Sequence, residues 1–137
     1  MYAALHHLTC MAEVFQRGRR IHRRRKEPWL AAIALERDVQ LLNLAGSWPT
    51  AAGASMAINS GVRVRAQDWS RAIYEAYPEI DGVWYGSSMN ANQPSVALYE
   101  RAEDVIPESP IFNRPLTDPS LATTLGLAAD RFGYDLV

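Results

Sequence analysis

The chain has 137 residues, of which 48% are apolar and 21% charged, with a formal net charge of −1. That length fits one domain over 1–137 with a core of its own, and the composition excludes a disordered or strongly polyionic chain. No apolar run approaches the roughly 18 residues of a membrane span, no signal-peptide pattern is read, and the single Cys10 excludes an internal disulfide, so a cytoplasmic location is expected. Tyr2 to Gln16 reads as a helix, with Tyr2 alternatively on a strand or turn feeding it. Leu5, Leu8, Ala12 and Phe15 make its apolar stripe, and Tyr2, His6, Thr9 and Glu13 stack along a neighbouring face. No capping residue stands before it, so the chain reads as starting inside an element. Gly18 is expected to end this helix, and Pro28 bars any continuation.

Seven of the 14 positive residues fall between Arg17 and Lys26. Such a block usually forms a solvated loop, and its sharper readings are a phosphate-binding loop beside Glu13 or a site for an anionic partner. It has no interleaved aromatics, so sequence-specific nucleic-acid binding is not expected of it.

Trp29 to Leu35 and Val39 to Leu44 read as strands around the turn Glu36-Arg37-Asp38, with buried helix as the alternative for the first. Thr50 to Ser60, rich in small residues, reads as a weak short helix, and Gln67 to Tyr77 as a better one. Val83-Trp84-Tyr85 is a β-branched and aromatic run entered through Asp81-Gly82 and broken by Gly86-Ser87-Ser88. It predicts a short strand that delivers two hydroxyls at its end, with Ser95 to Tyr99 returning as its partner. A serine there serves either to cap nearby backbone or to meet a ligand. A proline-punctuated link follows, then a helix over Leu121 to Phe132 with Gly133 at its C′ position, and a closing strand over Tyr134 to Val137. The four tryptophans, Trp29, Trp48, Trp69 and Trp84, are assigned to the core, and His6 and His7 to solvent or to satisfied core positions. Strands and helices mix without regular alternation, so the class is α+β, with mixed or antiparallel sheets and flanking helices. Glycine-rich phosphate loops and metal-spaced Cys/His clusters are absent from the sequence, and no metal site is assigned.

Four segments share the order and spacing of one family. Tyr2 followed by Thr9-Cys10-Met11-Ala12-Glu13, Leu42-Asn43-Leu44-Ala45-Gly46, Asp81 to Ser88 with Val96 to Glu100, and Arg114-Pro115-Leu116 through Val137 together resemble the RES family. The resemblance implies a fold like that of ADP-ribosyltransferases and an activity that degrades NAD⁺, with NAD⁺ as substrate and no separate cofactor. It also implies a toxin held inactive by a helix-turn-helix antitoxin protein. The family's glutamate falls on Glu13 and its serine on Ser87, with Ser88 as the neighbouring alternative. Tyr2 would line the nicotinamide side. The family's arginine would lie on a strand segment preceding Tyr2, so the resemblance reads the chain as lacking the family's N-terminal part. Three functions follow: an NAD⁺-consuming toxin with phosphate or water as acceptor, a catalytically dead RES-like remnant that binds an antitoxin or other partner, and a nucleic-acid-binding module using residues 17–26. Homo-oligomerisation is left open.

Overall fold

The computed structural model of the chain describes residues 1–54 and 63–137. Its centre is a four-stranded sheet of order β1-β6-β5-β4, formed by β1 (Tyr2–Ala4), β4 (Leu41–Asn43), β5 (Gly82–Gly86) and β6 (Pro94–Leu98). β6 runs antiparallel to both β1 and β5, whereas β4 runs parallel to β5. Two ribbons complete the strands: β2 (Arg20–Ile21) pairs parallel with β8 (Asp135–Leu136), and β3 (Trp29–Ala32) pairs antiparallel with β7 (Phe112–Pro115). The helices are α1 (His7–Phe15), α2 (Trp48–Ala51), α3 (Arg63–Ala76) and α4 (Ala122–Phe132), with 3₁₀ turns over Glu100–Val105 and Pro119–Leu121. This is the α+β arrangement with a mixed sheet that the sequence predicts.

Strand alternation divides the core in two across the sheet. Val83, Tyr85, Ala97 and Leu42 point to one face, where Ile73 of α3 and Tyr77 just beyond its end cover them. Leu98, Val96 and Leu41 point to the other, against Ala102 and Val105 of the 3₁₀ turn. A third cluster joins Met11 of α1 and Ile21 of β2 to Leu125, Ala128 and Ala129 of α4. Gly133 takes φ 61° beyond α4, and its left-handed turn satisfies carbonyls at the helix end, as its position predicts.

Several expectations shift. α1 begins at His7, because Tyr2–Ala4 pairs with Ser95 to Ala97 as a strand. The helix does have a cap: the Nδ1 of His6 accepts from the Leu8 backbone N–H at 3.1 Å. Leu5 therefore lies outside the helical stripe and is exposed, and Met11 takes the buried place beside Ala12. α1 ends at Phe15 with Gln16 as C-cap, ahead of Gly18. Trp29 is 57% exposed rather than in the core, since β3 belongs to a two-stranded ribbon with one open face. Trp48, Trp69 and Trp84 are half-buried. The helix expected over Thr50 to Ser60 is α2 at its start, shifted to Trp48–Ala51, and the rest of that expectation lies outside the described residues. The closing strand is shorter than expected, Asp135–Leu136.

The Glu36-Arg37-Asp38 turn has a purpose that its sequence hides. The Arg37 guanidinium donates to both oxygens of Asp81, at 3.1 and 2.9 Å, and to both of Asp104, at 2.9 and 3.1 Å. Asp81 also accepts from the Gln40 N–H at 2.8 Å. The fork thus ties the entrance of β5 to the start of β4 and to the turn after β6. Arg37, and then the Gln40 N–H, hold the Asp81 carboxyl below its ordinary value, against an opposing effect of burial. A depressed folded value means stability that is complete above the unfolded value near 3.9 and is lost as pH falls through the folded one. Asp81→Asn is therefore expected to lower the melting temperature at neutral pH by roughly 5 °C and to flatten its fall between about pH 5 and pH 2. Parallel melting curves for the two proteins across that range would show that Asp81 does not couple folding to pH.

Candidate active site at the end of β5

β5 delivers its polar end against α1. The Ser87 hydroxyl donates to the Glu13 Oε1 at 2.5 Å, closing a separation of 74 residues. The other oxygen, Oε2, accepts from the Gln16 Nε2 at 3.2 Å, and the same amide nitrogen donates to the Glu13 carbonyl at 2.9 Å. Gln16 stands three residues on, on the same side of the helix end, so both carboxylate oxygens are held. One turn earlier, the Thr9 Oγ1 accepts from the Asn90 Nδ2 at 2.9 Å. Thr9, Ser87 and Asn90 are all buried, so α1 and the loop after β5 meet through a satisfied polar seam.

The loop itself is wound around Ser87. Its hydroxyl accepts from the Met89 N–H at 3.2 Å and the Asn90 N–H at 3.1 Å, while its backbone N–H donates to the Gln93 carbonyl at 2.9 Å. Ala91 and Asn92 take φ values of 45° and 57° so that the chain can reverse into β6. A hydroxyl has one proton and two lone pairs. Ser87 has committed all three: it caps the loop through the Met89 and Asn90 N–H groups, and its proton goes to the Glu13 carboxylate. Ser88 is exposed and makes no such contact.

Tyr85 stands two residues before Ser87, on the same face of the strand. Burial first, then the neighbouring Glu13, Tyr2 and Cys10, push its phenol up to about 12. Tyr2 lies two rows along on β1 and is 79% exposed, at the rim of this region. Cys10 is half-buried, and burial raises its thiol while a hydrogen bond with the Ala4 backbone opposes the rise. His6 and His7 stack with ring centroids 4.3 Å apart, and burial followed by the proximity of His6 lowers His7.

The structure thus brings Glu13 and Ser87 into contact, sets Tyr2 at the edge and leaves Ser88 outside. Gln16 and Asn90, which touch the pair, are not among the residues the sequence marks for this site, and Thr9 is marked only as a neighbour of Glu13 on the helix face. Gln16 had a signal in its i+3 spacing from Glu13, whereas the Thr9–Asn90 bond depends on a loop path that spacing does not reveal. Among the described residues no group of three His, Cys, Asp or Glu is placed to hold a metal ion. No helix among them is long and apolar enough to cross a membrane. An open depression of about 710 Å³ over Leu35 to Val39 lies beside the Arg37 fork rather than at Glu13, and its one arginine is already held by two carboxylates.

Of the basic run, Arg19 donates to the carbonyls of Phe132 and Gly133 at 3.3 Å each, and Arg20 pairs with Asp135 at 3.2 Å. Arg17 and the stretch from Arg23 to Lys26 are exposed and form no ion pair among the described residues.

No curated protein and no solved structure matches the chain. The family model described as the RES domain matches residues 1–120, which include Tyr2, Glu13, Ser87 and the whole four-stranded sheet. With that match over most of its length, the chain belongs to the RES domain family.

Proposed function

We propose that the chain is an NAD⁺-consuming enzyme that breaks the nicotinamide–ribose bond, with phosphate or water as acceptor, and that it acts as the toxin of a pair with a helix-turn-helix antitoxin. The observation that carries this reading is the Glu13–Ser87 contact, because a carboxylate fixed at both oxygens is the group that such a cleavage needs. As the C–N bond breaks, its electron pair leaves with nicotinamide, and positive charge builds on the ribose. Nicotinamide is neutral once released, so the leaving group needs no proton. A preorganised carboxylate facing the ribose stabilises the cation, or grips a ribose hydroxyl, without reorganising during the reaction. The acceptor oxygen then bonds to the ribose carbon. Water loses its proton to solvent, and phosphate attacks as an anion.

Ser87 acts here through Glu13, since its hydrogen-bonding capacity is already filled. Tyr2, exposed at the rim, is free to cover the nicotinamide ring on binding, and Ser88 is open to the substrate from the outer side of the loop. The protein is to be incubated with NAD⁺, with and without phosphate, and the products separated. Release of nicotinamide with ADP-ribose identifies water as acceptor, and a phosphorylated ADP-ribose identifies phosphate. Intact NAD⁺ in both incubations would sink the enzymatic reading.

The exposed basic run is expected to contribute little to substrate choice. Replacing Arg23, Arg24 and Arg25 together by glutamine should change NAD⁺ affinity by less than about tenfold, because exposed charges are screened by salt and lose entropy on ordering. A far larger loss would make this run the clamp on the pyrophosphate.

A further inference from the structure

Among the described residues, one buried side-chain hydroxyl lacks a hydrogen-bond partner. Ser95 is 1% exposed, and its Oγ has no hydrogen-bond partner. A buried polar group without a partner is uncommon and costs free energy, so its retention calls for a partner that arrives from outside. Its place is fixed by register: Ser95 stands opposite Tyr85 on one side and Ala4 on the other. Residues directly opposite in adjacent strands share a face, so Ser95 and Tyr85 project from the same side of the sheet. That row ends where β1 leads into α1, the helix that holds Glu13. Ser87 is the link to the carboxylate: its backbone N–H donates to the Gln93 carbonyl, two residues before Ser95, at 2.9 Å, and its hydroxyl donates to Glu13.

We propose that Ser95 is a substrate-binding residue of the Glu13–Ser87 site and that, with Tyr85, it receives an uncharged carboxamide. The class of ligand follows from the donors. A serine hydroxyl and a protonated phenol each donate and accept, which matches the carbonyl and NH₂ of an amide. An ionic group buried beside Ser95 would lose its hydration with no countercharge in the row. The identification of the amide as that of nicotinamide rests on the NAD⁺ reading above. Ser95 is covered in the free protein, so binding requires a side-chain rearrangement over it, a change common at binding surfaces.

The test is a nicotinamide titration followed by NMR, on the wild-type chain, Ser95→Ala and Tyr85→Phe, with melting temperatures and NAD⁺ kinetics measured alongside. Ser95→Ala should weaken nicotinamide binding by at least about fivefold and raise the KM for NAD⁺ in proportion, with kcat within about twofold. Its melting temperature should stay level or rise, since no protein hydrogen bond is removed. Should Ser95→Ala fail to fold, Tyr85→Phe decides, because it keeps the packed ring and removes only the phenolic hydroxyl. Equal nicotinamide affinity in wild type and variant, or no nicotinamide binding by the wild type at millimolar concentration, overturns the proposal. The NAD⁺ reading fails by a different result, absence of turnover in the wild type, and the nicotinamide titration then still decides the role of Ser95.

Discussion

Glu13→Ala should abolish measurable NAD⁺ loss while leaving the chain folded. The carboxylate is only half-buried, and truncation removes no part of the Met11, Ile21 and Leu125 cluster that anchors α1. The reaction, however, loses a charge already held in place by Ser87 and Gln16. Removing one preorganised electrostatic contact typically lowers kcat by on the order of 10²–10³. Glu13→Gln should fall nearly as far, because it keeps the shape but not the charge. Ser87→Ala should retain more activity than either, since its hydroxyl orients the carboxylate and does not replace it. It should also melt lower than Glu13→Ala, because the Met89 and Asn90 N–H groups lose their acceptor in a buried loop. The decisive measurement is kcat for the three variants beside their melting curves. Turnover in Glu13→Ala within about threefold of wild type would remove Glu13 from the chemistry.

What the sequence exposed of this arrangement follows its physics. The β5 strand was legible because Val83, Trp84 and Tyr85 combine strand-favouring side chains with glycine breaks at both ends. The closing helix was legible because Leu121, Leu125, Ala128 and Phe132 keep one face and Gly133 stops it. Spacing along α1 also placed Thr9 and Glu13 on one side, and both turn toward the loop after β5. The start of α1 was hidden because Tyr2, Ala3 and Ala4 fit a helix as well as a strand, and only pairing with β6 decides between them. His6 escaped as a cap because histidine is not among the residues that usually fill that position. The Arg37 fork was invisible for another reason. Arg37, Asp81 and Asp104 are far apart in sequence, and nothing local marks a charge that will meet its partners only in the folded chain. Ser95 is the same kind of case: an unremarkable strand residue until register sets it opposite Tyr85.

Gly82→Ala should produce the largest loss of stability of any single methyl group added to the described residues of the sheet. Gly82 pairs with Leu41 on one side and Leu98 on the other, so β5 enters the sheet through it. A Cβ built there meets the Ala97 carbonyl oxygen at a distance no real side chain tolerates, with the Leu98 Cα at 2.9 Å and the Ala97 carbonyl carbon at 3.0 Å. These are backbone atoms of the neighbouring strand, so no rotamer change relieves the clash, and β5 and β6 must separate. Overpacking of this kind costs about 3 kcal/mol or more, which in a domain of this size lowers the melting temperature by roughly 10 °C. Gly126→Ala supplies the contrast. It lies inside α4 with nothing within 4 Å of its added Cβ, so the better helix propensity of alanine should raise stability by about 0.5–1 kcal/mol. The pair isolates the cause, because both variants add one methyl group and only one of them adds it against backbone. The loss at Gly82 should also reach the site, since the same strand carries Tyr85 and ends at Ser87. Equal melting temperatures for Gly82→Ala and the wild type would mean that β5 and β6 are not paired in this register, and Ser95 would then no longer stand opposite Tyr85.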